Sequence, residues 1–227
     1  MAPQIHSLIQ SLGVELIYSF VIIIASLMIY HSTKEMYELS AYKGIKYFRI
    51  SFLLFGVAYF FRSFIKILLV YFGASRIIDI NWRFIGSTTL FIFMFFGSLA
   101  VFYLVFSLIC KKWNEKSGLL LSIFYALSIV LSFIIITTRE LEVFIVVSVI
   151  ILAIAIFGLY ITHKQSKEKK KKSNIHIIYT LLFIFWILNI IEVLTNFSYI
   201  YQILIYLASL GIFLVILYKV LKKTGSN

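Results

Sequence analysis

Proline occurs once, at Pro3, so no later segment carries the residue that removes a helix hydrogen bond and clashes with the preceding turn. Cysteine also occurs once, at Cys110, which excludes an intrachain disulfide, a cysteine-based metal site and a thiol redox pair. Asp79 is the single aspartate, and an intramembrane aspartyl protease needs two. His6, His31, His163 and His176 lie at or beyond the ends of apolar runs, and no two are spaced as ligands on one helix face, so no metal site is expected. Nucleophile-elbow, P-loop and dinucleotide fingerprints are missing. Lys219 stands at the end of the last apolar run, too far out for a retinal Schiff base. These gaps predict a protein that is not an enzyme and holds no cofactor.

Charge is scarce, at 13% of residues, while 62% are apolar. A soluble domain has about a quarter charged and about half apolar. A chain of 227 residues cannot bury that excess, so it must face lipid. Crossing roughly 30 Å of hydrocarbon takes about 20 mostly apolar residues in a helix. Seven such runs occur, at about 8–30, 50–72, 87–110, 118–138, 141–162, 177–195 and 198–218. The expected fold class is therefore all-α: a polytopic membrane bundle of seven transmembrane helices forming one domain over 1–227. The first run lacks a basic n-region and a cleavage site and reads as a retained span. Only Asn196 and Phe197 separate the sixth and seventh runs, and their fusion would leave six spans.

The basic residues set the expected orientation. Segments 31–49, 111–117, 163–176 and the tail from Lys219 together hold sixteen Lys or Arg, whereas Arg76, Arg83 and Arg139 are the three on the opposite side. Positive residues are retained in the cytoplasm, so the N-terminus is expected outside and the C-terminus inside the cytoplasmic membrane. Tyr30, Tyr47, Trp82, Trp113, Tyr160 and Tyr218 mark run ends, where amphipathic rings favour the headgroup level. The net charge of +12 then points to anionic lipid headgroups and not to nucleic acid. Lys164, Lys167, Lys169, Lys170, Lys171 and Lys172 form either a solvated inner loop or a contact for those headgroups or a cytoplasmic protein partner.

Four charges fall more than one residue inside the apolar runs: Glu15, Arg62, Lys66 and Glu192. Each costs about 2.5–3.5 kcal/mol at the bilayer centre on insertion scales and needs a partner, water or a route to the surface. At about 1.5 Å per residue, Arg62 lies about 15 Å and Lys66 about 9 Å below the outer end of the second run. Glu15 and Glu192 fall at similar depth. Arg62 and Lys66 are four apart and share a helix face, as do Asn189 and Glu192, three apart. An outward-facing ionic cluster of Glu15, Arg62, Lys66, Asn189 and Glu192 is predicted from the first, second and sixth spans, with Ser19 and Tyr59 beside it. Lys66 and Glu192 are also near enough to the surface to snorkel. The cluster either fixes helix packing or also binds a small anionic or zwitterionic ligand.

The first expectation for function is a receptor-like or sensor-like protein using that cluster as a pocket. The alternative is a small-solute or ion transporter or channel. Spans one and five run the same way, so a three-plus-one-plus-three layout with parallel repeats is geometrically open, although 8–110 and 141–218 show no residue match. Proline is missing from every span, the membrane glycines (Gly13, Gly56, Gly97, Gly158, Gly211) are scattered, and Ser122, Ser128, Ser132 and Ser148 could form a polar seam between spans four and five.

The stretch from Tyr30 to Arg62 (YHSTKEMYELSAYKGIKYFRISFLLFGVAYFFR) resembles the first loop and second span of uncharacterised prokaryotic seven-span proteins, over about a sixth of the chain. The layout is similar to that of the membrane modules of seven-span sensor proteins. This resemblance implies no individual residue roles. As sensor modules usually continue into a soluble output domain and this sequence stops at Asn227, signalling would require a separate partner.

Overall fold

The computed structural model describes residues 2–75, 82–110, 117–138, 140–167, 175–194 and 199–224, with side chains mainly within 13–64, 87–110, 118–138, 142–158, 177–192 and 200–222. Among the described residues it holds seven helices and no strand. They are α1 (Ala2–Ser40), α2 (Lys43–Ser75), α3 (Trp82–Ile109), α4 (Ser117–Thr138), α5 (Leu141–Lys167), α6 (Ile175–Leu194) and α7 (Tyr199–Thr224). The solitary proline lies in the first turn of α1, where its missing N–H breaks no helix bond.

Among the described residues, five helices contain apolar stretches long enough to cross a membrane: Gly13–Ser40, Lys43–Phe64, Ser87–Ile109, Gly118–Thr138 and Ile200–Lys222. Among the described side chains, α5 and α6 carry shorter ones, Glu142–Gly158 and Ile177–Glu192. The sixth and seventh runs are separate helices that pack side by side. The segment expected as a loop over 31–49 is mostly helical. Its polar residues suit helix formation outside the apolar run as well as within it, and α1 stops only at Ser40. Ala41 ends it in a left-handed conformation, φ 49°, with its N–H bonded to the Tyr37 carbonyl at 2.8 Å.

The packing order is a closed ring. Each of α1, α2, α3, α5, α6 and α7 packs on the next, and α7 returns to α1, while α4 lies outside against α3 and α5. Phe52, Phe55, Phe185 and Phe213 fill the centre. On α1 the buried positions Glu15, Tyr18, Ser19, Ile22, Ala25, Ser26 and Ile29 follow helical spacing and face the ring, whereas Ile17, Phe20, Ile24 and Leu27 face outward. The exterior of α4 is largely apolar, with Leu119, Ile123, Ile129 and Phe133 exposed. Exposing such side chains to water costs about 1.5–3 kcal/mol each, so this surface suits the acyl region of a bilayer and a multi-pass membrane protein.

A candidate site: the ionic network between four helices

Arg62 is the hub. Its Nε and Nη2 each lie 2.8 Å from Glu15 Oε1 on α1, and Nη2 donates to Glu192 Oε1 on α6 at 2.7 Å. The side chains of Arg62, Glu15 and Glu192 are 13%, 12% and 9% exposed, so water screens them little. The guanidinium also lies over the Phe93 ring of α3, 5.2 Å from its centroid, and 5.9 Å from that of Tyr59. One side chain thereby contacts two other helices ionically and a third through a ring face.

A second, neutral layer lies one turn along. Tyr59 Oη donates to Asn189 Oδ1 at 2.7 Å, and Tyr18 Oη stands 3.3 Å from Tyr59 Oη and 3.5 Å from Asn189 Oδ1. The Asn189 amide nitrogen is satisfied by the Phe185 carbonyl of its own helix, 2.8 Å away. From α7, Tyr206 Oη donates to Glu192 Oε1 at 2.8 Å, and its ring stacks on Tyr18 with centroids 4.6 Å apart.

The structure thus brings together Glu15, Arg62, Asn189 and Glu192, with Tyr59 as expected. Glu192 is turned into the network and does not snorkel. The side chain of Lys66 lies outside the described residues. Ser19 is fully buried, with no hydrogen-bond partner for its hydroxyl among the described residues. Tyr18 and Tyr206 are the members that sequence reasoning missed. Their signal was available: a tyrosine well inside an apolar run must satisfy its hydroxyl, unlike one at a run end. Tyr18 also falls three residues after Glu15, on the same face.

Two small cavities lie inside the bundle, one of them against the network. One, about 30 Å³, is lined by Tyr59, Arg62, Phe93, Ser148, Trp186 and Asn189 among others. The other, about 20 Å³, lies between Val101, Leu104, Ala155, Tyr179, Leu182 and neighbours. Phe55 and Trp186 line both. The first is mostly apolar but presents a few polar groups and has room for one or two water molecules, whereas the second is almost wholly apolar. Trp186 Nε1 is buried without a partner among the described residues. Ser148 lines the first cavity, Ser128 and Ser132 are buried, and Ser122 is exposed. The four serines therefore do not make one seam.

Of the basic stretch, Lys164 and Lys167 belong to the end of α5, with side chains outside the described residues, as are Lys169, Lys170, Lys171 and Lys172 altogether. Among the described residues, no group of three or more His, Cys, Asp or Glu is placed to hold a metal ion.

The chain is similar to an uncharacterized protein of Archaeoglobus fulgidus, 28% identical over 225 residues and covering 98% of each chain. That agrees with the resemblance to uncharacterised prokaryotic proteins. No family model and no solved structure matches.

Proposed function

We propose that the chain is a seven-span protein of the cell membrane, receptor-like and non-enzymatic, that responds to a small zwitterionic solute at the Arg62 network. At about 1.5 Å per residue, the 27 residues of α5 and 20 of α6 reach about 40 and 30 Å, enough for the hydrocarbon. The lysine and arginine bias supports an outer N-terminus and a cytoplasmic C-terminus, which puts the network in the outer half of the membrane. The basic inner loops, Lys164 to Lys172 above all, then face anionic headgroups or a cytoplasmic protein partner.

One observation carries this reading: a single guanidinium is held between carboxylates from two different helices. Separating them in a low dielectric leaves each charge without compensation. A solute bearing both signs avoids that cost, because its cation takes the carboxylates while its anion takes Arg62. The adjoining cavity is far below the roughly 300–1,000 Å³ of a preformed organic-ligand pocket, so admission requires helices to part. That movement is the response.

A second reading, a small-solute or ion conductor, is favoured by the two cavities meeting at Phe55 and Trp186. One pair of measurements separates them: binding of glycine, β-alanine and betaine to protein in nanodiscs, and flux of the same solutes into liposomes. Binding without flux, lost in Glu192→Gln, supports the receptor-like reading; binding with flux supports the conductor. Absence of binding by zwitterions, with acetate and methylammonium equally inert, rejects the solute site. A reporter fused to the C-terminus and found outside would reject the orientation.

A further inference from the structure

We infer that the chain consists of two equivalent three-helix halves, α1–α3 and α5–α7, joined by α4, and that the Arg62–Glu192 pair is a latch closed across the axis between them. This goes beyond the solute reading and does not depend on it.

The first support is the ring itself. Exchanging α1 with α5, α2 with α6 and α3 with α7 maps every neighbouring pair of the ring onto another: α1–α2 onto α5–α6, α2–α3 onto α6–α7, and α3–α5 onto α7–α1. Only α4, outside the ring, has no counterpart.

Residue register provides the second. Among the side-chain contacts that join α2 to α6, three fall in one register: Phe55 with Phe185, ring centroids 6.5 Å apart; Tyr59 with Asn189 at 2.7 Å; and Arg62 with Glu192 at 2.7 Å. The partners are 130 residues apart in all three. Two parallel helices meeting position against equivalent position, over two turns, is what a two-fold axis along the bundle produces. The helices meet there through side chains alone, since their backbones do not approach as packed neighbours. Identity between the two stretches is too low to show this in sequence: Arg62 answers Glu192, and Tyr59 answers Asn189. The pairs are complementary, not alike, because each must bond its own counterpart across the axis.

The two flanks of the latch differ. Tyr18 stands on the α1 flank and Ser148 on the α5 flank, both buried. The Tyr18 phenol reaches Tyr59 and Asn189 and stacks on Tyr206. Ser148 is too short to do so, and the cavity of about 30 Å³ lies beside it, touching the same Tyr59 and Asn189. One flank of the axis is filled by an aromatic ring and the other has room for water. The halves therefore part toward α3 and α5, the geometry expected of parallel repeats that move as bodies around a central site.

The test is a pair of spin-label distance measurements in a Cys110→Ser background. Lys46→Cys with Ile177→Cys spans the axis from α2 to α6, and Lys34→Cys with Lys46→Cys lies within the first half; all three positions are exposed. Glu192→Gln, which keeps the shape and weakens the latch, is expected to shift or broaden the cross-axis distribution and leave the within-half distribution unchanged. Tyr59→Phe serves the same purpose should Glu192→Gln fail to fold. An unchanged cross-axis distribution, or a change in both distributions together, overturns the inference. Neither readout involves a solute, so failure of the solute site and failure of the two-half architecture are told apart.

Discussion

Tyr206 and Arg62 reach the same carboxylate oxygen of Glu192, the phenol at 2.8 Å and the guanidinium at 2.7 Å. Their helices, α7 and α2, touch through the Phe213 and Phe52 rings, centroids 6.0 Å apart, and this oxygen ties them a second time through α6. The consequence is a strong dependence of the whole ring on one buried carboxylate and its cation.

Arg62→Ala is accordingly expected to destabilise the protein by about 3–5 kcal/mol, the range for removing one partner of a buried ionic group. The loss comes less from the attraction removed than from the charges left behind on Glu15 and Glu192. Replacing the set together, Arg62→Met with Glu15→Gln and Glu192→Gln, is expected to restore most of the stability, because no ion is then stranded. Denaturant unfolding in mixed micelles measures both. A triple variant as unstable as Arg62→Ala would show that the charges themselves are not the cause.

Tyr206→Phe separates the hydroxyl from the ring. Interhelical hydrogen bonds in membrane proteins are worth about 0.6 kcal/mol on average and seldom above about 1.7, so the expected loss is about 1 kcal/mol. Tyr206→Ala also removes the ring stacked 4.6 Å from Tyr18 and is expected to cost about 3–5 kcal/mol. Equal losses in the two variants would assign the effect to the hydroxyl.

Much of this arrangement was legible in the sequence for a simple reason. An ionic group inside an apolar run has few places to go, so Glu15, Arg62 and Glu192 had to find one another or water. Asn189 followed from sharing a face with Glu192. The ring order and the two-half register were not legible. Lipid-facing and core-facing side chains are both apolar, so hydropathy does not say which face of α4 turns inward or that α4 lies outside. The axis pairs Arg62 with Glu192 and Tyr59 with Asn189, and complementary residues erase the likeness that a repeat search needs. The extension of α1 to Ser40 was hidden because polar residues past an apolar run serve helix and loop equally.

Glycines offer a test of how closely the backbones approach. A Cβ on Gly44 would lie 2.9 Å from the Ser107 carbonyl oxygen of α3 and closer still to the Tyr42 ring, and backbone cannot swing aside. Gly44→Ala is expected to cost about 1–3 kcal/mol as an overpacked contact. Gly158→Ala meets Val105 Cγ1 of α3 at 2.8 Å, and a stiff β-branched side chain gives little relief, so a similar loss is expected. Nothing lies within 4 Å of a Cβ at Gly211, and there alanine is expected to stabilise α7 by about 0.5–1 kcal/mol. Unfolding of the three variants in one detergent system checks the contrast; Gly44→Ala as stable as the parent would place α2 and α3 farther apart at that end.

The turn between α1 and α2 carries the last expectation. Ala41 adopts φ 49°, a left-handed conformation that brings a Cβ too close to the next carbonyl at about 1–2 kcal/mol. Its N–H still bonds the Tyr37 carbonyl, and Ser40 Oγ accepts from the Tyr42 N–H at 3.3 Å, so the conformation is held by its neighbours. Glycine adopts it freely but also loosens the unfolded chain, an opposing effect of about 0.4–1 kcal/mol. The balance favours the variant: Ala41→Gly is expected to raise stability by about 0.5–1 kcal/mol, and Ala41→Val, with a branched Cβ, to lower it. Thermal unfolding in nanodiscs gives the order, and valine as stable as glycine would mean that the left-handed turn is not the conformation the chain adopts.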